Sequence, residues 1–124
     1  MNDRPLLVFD FDGVIVDGMA EYWWSAWHAC RRLEAAPEGL TPDQVPDAFR
    51  QLRPWVHHGW EMVLLAAELP VLNLQDWLQS YGDAQASALQ RRGWRPEQLQ
   101  AALDDARDLA CLLYTSDAAD ETTG

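Results

Sequence analysis

Residues Leu6 to Asp17 read LLVFDFDGVIVD. Four apolar residues, Leu6–Phe9, lead into two carboxylates, Asp10 and Asp12, and then a glycine, Gly13. A short apolar run bounded by turn residues predicts a buried β-strand. Residues two apart near a strand's end point to the same side, so Asp10 and Asp12 are expected to converge just beyond it. In open α/β sheets that edge is where ligands bind. The pair suits a defined chemistry. An ionised carboxylate is a usable nucleophile at neutral pH. A second carboxyl nearby can protonate a leaving alkoxide and later activate water. Oxygen ligands clustered this tightly suit Mg²⁺, which takes one or two carboxylates and keeps several waters. Gly13 has no Cβ, so a phosphate can approach the backbone N–H groups. The plainer alternative is a loop carrying two solvated acids after a core strand.

The segment resembles the first motif of the haloacid dehalogenase-like phosphatase superfamily: a hydrophobic strand, then Asp-x-Asp-Gly, then Thr or Val. Val14 and the later Asp17 also fall in place. The resemblance implies an α/β, Rossmann-like parent fold with a helical cap, this chain itself being mostly α with one N-terminal strand, and a Mg²⁺-dependent phosphatase acting on a small phosphorylated metabolite. By the same resemblance Asp10 is the phosphate-accepting nucleophile and Asp12 the general acid/base. Asp10 and Asp12 also bind Mg²⁺, the latter through its backbone carbonyl, and Gly13 adjoins the phosphate. Dehalogenase members lack an acid at the second position, so Asp12 points to phosphate esters. The capped members, such as the phosphoglycolate phosphatase and β-phosphoglucomutase group, insert helices directly after this motif. That placement divides the chain into residues 1–18 (first strand and motif), 19–94 (helical cap) and 95–110 (a helix leading back toward the core).

The family also needs a basic residue, usually lysine, a Ser or Thr after a second strand, and a further acidic pair. All nine basic residues here are arginine. The chain alone is therefore expected to show no useful turnover. A phosphomutase with the same two aspartates, or a non-catalytic helical interaction module, are the alternatives.

Charge and composition narrow the partners. A net charge of -11 argues against nucleic acid or an anionic membrane surface. No apolar run approaches the ~20 residues of a membrane span. Two cysteines, Cys30 and Cys111, form neither a disulfide framework nor a metal spacing. A cytoplasmic setting is the expectation.

Beyond Gly18 the periodicity is helical. Met19, Tyr22, Trp23, Ala26, Trp27, Cys30 and Leu33 share one helical face. Trp24 and His28 lie off that face, four residues apart, and either line a cleft or pack on a neighbouring helix. Thr41 with Pro42 and Gln44 has the form of a capping box, but Pro46 offers a second start, for a helix over Asp47–Leu52. Trp55–Leu69 reads as a helix apolar on most sides, hence buried. At its start, Arg53, His57 and His58 are candidates to reach an anionic substrate; surface and interhelix hydrogen bonding is the alternative. Two adjacent histidines on a helix diverge, so they are not a metal pair by spacing. Asn73 can cap the next helix, with Gly82 as a break, Gly93 as a stop and Pro96 opening a last helix through Leu99, Leu103 and Ala106.

The stretch LACLLYTSD, Leu109–Asp117, has the form of an apolar strand ending in Thr115 or Ser116, as the family's second motif would. However, CLLYTSDAADE, Cys111–Glu121, looks like a translated sequencing-library adapter of the transposase type. On that basis residues 111–124 are expected to be a non-native tail.

Overall fold

The structure, a computed structural model, describes residues 18–123, with side chains for residues 18–110. Six α-helices follow one another: α1 (Gly18–Arg32), α2 (Asp47–Leu52), α3 (Gly59–Glu68), α4 (Leu74–Gln79), α5 (Tyr81–Arg92) and α6 (Pro96–Thr123). A 3₁₀ turn, Arg53–Trp55, directly follows α2. Among the described residues there is no strand.

That architecture overturns the expected α/β class: the described chain is all-helical. The strand expected over Leu6–Asp12 lies outside the described residues. The physical reason is in the pattern after Gly18. A parallel sheet needs further apolar strand runs alternating with crossover helices. The described segment instead carries helical periodicity throughout, so each apolar stripe finds another helix to bury against.

The core is a three-helix layer of α1, α3 and α6, each in contact with the other two. From α1 it takes Trp23, Ala26, Ala29 and Cys30, and from α3 the continuous run Met62–Ala67. Leu99, Ala102, Leu103 and Ala106 complete it from α6. α3 is apolar nearly all round because helices cover it on several sides. Phe49 and Leu52 of α2, Trp77 of α4 and Ala88 of α5 close the remaining gaps. Phe49 meets Trp23 edge-on, with ring centroids 5.1 Å apart.

Polar ties fix the long loop after α1. The Trp23 indole donates to the Thr41 carbonyl at 2.7 Å, and the Trp27 indole to the Leu40 carbonyl at 2.9 Å. Buried charge is paired. Glu68, near the end of α3, accepts from Arg91 and Arg92 of α5. Glu21 of α1 accepts from Arg107 of α6 at 3.0 Å. The Cys30 thiol donates to the Val63 carbonyl at 3.2 Å. Burial pushes that thiol up to about 12, so it is an inert packing group.

The helix limits mostly follow the local signals. α2 starts after Pro46, and Pro42 lies in a turn. Asn73 caps α4, its side chain accepting from the Asp76 N–H. α5 ends at Gly93, whose φ of 70° is left-handed; the Trp94 N–H then reaches the Leu89 carbonyl, the usual glycine stop. Two expectations fail. The helix expected from Trp55 begins only at Gly59, because His58 is extended (φ -131°, ψ 148°) and acts as the N-cap. Gly82 lies inside α5; the break falls at Ser80.

Candidate functional site

Asp10, Asp12 and Gly13, the residues singled out by the motif resemblance, lie outside the described residues. The motif joins the helical body at Gly18, the first residue of α1. The surface around the start of α1 is the part of the described body nearest to the motif along the chain.

Arg53 is held at that surface. Its guanidinium carbon lies 4.5 Å from the centre of the Tyr22 ring, and Tyr22 is one turn into α1. Such stacking fixes the planar fork of an arginine. Arg53 opens the 3₁₀ turn, with Pro54 as its second residue. The Arg53 Nε is buried and has no hydrogen-bond partner.

His57 and His58 do something different. Glu61 Oε2 accepts from the His58 N–H at 2.9 Å and from the His57 N–H at 3.2 Å. His58 Nδ1 lies 3.0 Å from the same oxygen. Glu61 thus answers the free N–H groups ahead of α3, as the third residue of a capped helix often does. Its other oxygen accepts from the Tyr81 hydroxyl at 2.8 Å, which ties the start of α3 to the start of α5. Glu61 is buried. Burial pushes its carboxyl up, but Tyr81, His58 and the nearby Gln85 amide outweigh this and hold it below the ordinary glutamate range. Tyr81 moves the opposite way: burial first, then the Glu61 carboxylate, hold its hydroxyl far above the usual tyrosine value, with Gln85 and Arg53 opposing. Arg53, Tyr81, Glu61 and Gln85 therefore form one electrostatic neighbourhood. His58 remains exposed and stacks on Trp60, ring centroids 6.3 Å apart. His57 contributes its backbone alone.

Trp24 and His28 meet each other, ring centroids 4.0 Å apart. His28 also lines a cleft of about 290 Å³ with Arg31 and Arg32 of α1 and Ala106 and Leu109 of α6. Burial, and then the Arg31 charge, lower the His28 pKa against a smaller pull from Asp43. A larger, open cleft of about 700 Å³ runs beside α4 and α5, past Glu68, Asp76, Asp83 and Arg91. Arg53, His57 and His58 do not line it. Among the described residues no group of three or more His, Cys, Asp or Glu side chains is placed to hold a metal ion. None of the described helices is long and apolar enough to cross a membrane.

The sequence pointed to Arg53 but not to its partners. Tyr22 was visible only as a core-face residue, and Glu61 and Tyr81 are twenty residues apart. One local signal for Glu61 existed: it stands three residues after His58, the capping-box spacing. Compared with protein-family models, curated proteins and solved structures, the chain has no match.

Proposed function

We propose that the chain belongs to a Mg²⁺-dependent phosphoric monoester hydrolase. Its substrate is a small phosphorylated metabolite, and the helical body covers that substrate. The observation that carries this is the run Leu6–Gly13, with Asp10, Asp12 and Gly13 in the order that resembles haloacid dehalogenase-like phosphatases. In this reading the Asp10 carboxylate attacks phosphorus in line. Asp12 protonates the departing alkoxide and then takes a proton from the water that hydrolyses the aspartyl phosphate. The donor set, hard carboxylate oxygens beside a glycine, fits Mg²⁺. Bound Mg²⁺ would neutralise charge on the phosphoryl oxygens, the main catalytic need of such transfers. Gly13 leaves backbone N–H groups open to the phosphate.

The body suits the covering role on physical grounds. Its described helices bring their apolar faces together in one core, and α1 begins at Gly18, directly after the motif in sequence. A non-catalytic helical module would also account for that core, but it leaves Asp10 and Asp12 without a purpose.

The test compares two proteins: the 124-residue chain, and the chain joined to its genomic continuation past Ala110. The longer protein is expected to release phosphate from a panel of phosphate esters only with Mg²⁺, and Asp10→Asn to abolish release. The 124-residue chain, which has no lysine to clamp the phosphate, is expected to be silent. Mg²⁺-independent release, or release that survives Asp10→Asn, contradicts the proposal.

A further inference from the structure

The His28 ring is held by two indoles rather than by hydrogen bonds. Trp24 lies 4.0 Å from it, centroid to centroid, and Trp27 meets it edge-on at 4.9 Å. Among the described residues its ring nitrogens have no hydrogen-bond partner. His28 lines the cleft of about 290 Å³ between α1 and α6 with Arg31, Arg32, Ala106 and Leu109. That lining has two halves. His28, Arg31 and Arg32 occupy one turn of α1, and residues three and four apart on a helix are neighbours. Ala106 and Leu109 are apolar and three apart on α6, with Leu109 exposed. No carboxylate lines the cleft, although the chain carries 20 acidic residues and a net charge of -11. Arg31 has no carboxylate partner among the described residues. The Arg32 pair with Asp105, at 3.3 Å, is more than half exposed on both sides. Such a pair is worth little, so Arg32 can turn to a new acceptor at small cost. Two guanidinium groups and a fixed imidazole favour an acceptor with negative charge. The apolar half favours an aliphatic group beside it. The volume, at the small end for ligand clefts, limits the occupant to a small molecule.

We infer that the cleft between α1 and α6 binds a small organic anion, its charged head on His28, Arg31 and Arg32 and its short aliphatic part on Ala106 and Leu109. The head is a carboxylate or a phosphoryl group, since both present the paired oxygens that a guanidinium fork meets. Trp24 and Trp27 are positioning residues that fix the imidazole. Arg53, His57 and His58 do not line this cleft. The inference goes beyond the phosphatase reading and needs neither Asp10 nor Mg²⁺.

The test is an NMR titration of the 124-residue chain, reading the ring C–H signals of its three histidines. His57 and His58 are exposed and serve as references. Acetate, butyrate, inorganic phosphate and butyl phosphate are added in separate arms, at constant pH and ionic strength. A saturable shift at His28 with butyrate or butyl phosphate is the expected result, with His57 and His58 moving only linearly. Saturation by butyrate alone assigns a carboxylate head, by butyl phosphate alone a phosphoryl head, and by both a cleft that takes either. The butyl compound is expected to bind more tightly than acetate or inorganic phosphate, by about fourfold for each methylene buried. Arg31→Gln is expected to weaken binding about tenfold. Leu109→Asn is expected to remove most of the advantage of the butyl chain and to leave acetate unchanged. Both side chains are exposed, so neither change disturbs the core. A His28 signal that moves no more than those of His57 and His58 in every arm overturns the inference, and so does a butyl chain that confers no advantage. Asp10→Asn is expected to leave the titration unchanged, so failure of the cleft and failure of the phosphatase proposal are told apart.

Discussion

Glu61 and Glu68 are single residues on which whole contacts depend. Each is buried, and each has a carboxyl held below the ordinary glutamate range because its hydrogen bonds outweigh desolvation. A group with a lowered folded pKa stabilises fully above its unfolded value, about 4.3 for glutamate. That stability is lost as pH falls through the folded value. The protein is therefore expected to weaken on acidification from about pH 5 downward. Glu68→Gln is expected to cost about 2 kcal/mol at pH 7, the exposed half of its arginine pair softening the penalty of a broken buried pair. Denaturation curves across this range check both points: the variant should lose less stability than wild type between neutral and acid pH, and parallel profiles would count against the pairing. Ser25 gives the opposite case. Its hydroxyl is buried without a hydrogen-bond partner, so Ser25→Ala should be neutral or stabilising by up to about 1 kcal/mol in the same assay. Neither glutamate was legible as an anchor in the sequence. Their partners on α5 lie twenty or more residues away, and no local period encodes such a contact; only the capping contacts of Glu61 with His57 and His58 are local.

At the scale of elements, the sequence was legible wherever a helix carries its own start or stop. Pro46, Asn73, Gly93 and Pro96 each mark a limit that the structure has. Removing the Asn73 side chain by Asn73→Ala should cost about 1 kcal/mol, since its Oδ1 accepts from the Asp76 N–H at 3.1 Å. The start of α3 was not legible in this way. Apolar periodicity runs back to Trp55, but the extended His58 is the cap and the helix begins four residues later, at Gly59. Gly59 explains why the first residue there is small. A Cβ on it would come within 2.8 Å of Leu103 Cδ2, and Leu103 is fully buried. Gly59→Ala should therefore destabilise by about 1–3 kcal/mol through overpacking against α6. A change in urea midpoint with an unchanged slope would assign the loss to native packing; an unaltered midpoint would show that α6 can yield.

For the whole molecule, helix-on-helix packing was legible from α1, α3 and α6, whose apolar faces became the core. The class was not. One apolar run at Leu6–Phe9 suggested a sheet, yet the described chain supplies no strand to pair with it, and the helices close on themselves. If α1, α3 and α6 are one cooperative unit, Leu103→Ala should cost about 2–5 kcal/mol and lower a single transition rather than split it. Far-UV and near-UV melts that separate would show that α6 unfolds independently. The candidate site divides in the same way. The motif aspartates were named by their order in the chain, whereas the Arg53 neighbourhood depends on how α1, α3 and α5 meet.

Under the proposed function, Asp10 receives a phosphoryl group. Beryllofluoride mimics that group on a carboxylate, so ¹⁹F NMR of the chain joined to its genomic continuation, with Mg²⁺ and beryllofluoride, reads the claim without knowledge of the substrate. A bound fluoride signal is expected that disappears in Asp10→Asn and persists in Arg53→Gln. No bound signal, or one that survives Asp10→Asn, would contradict it.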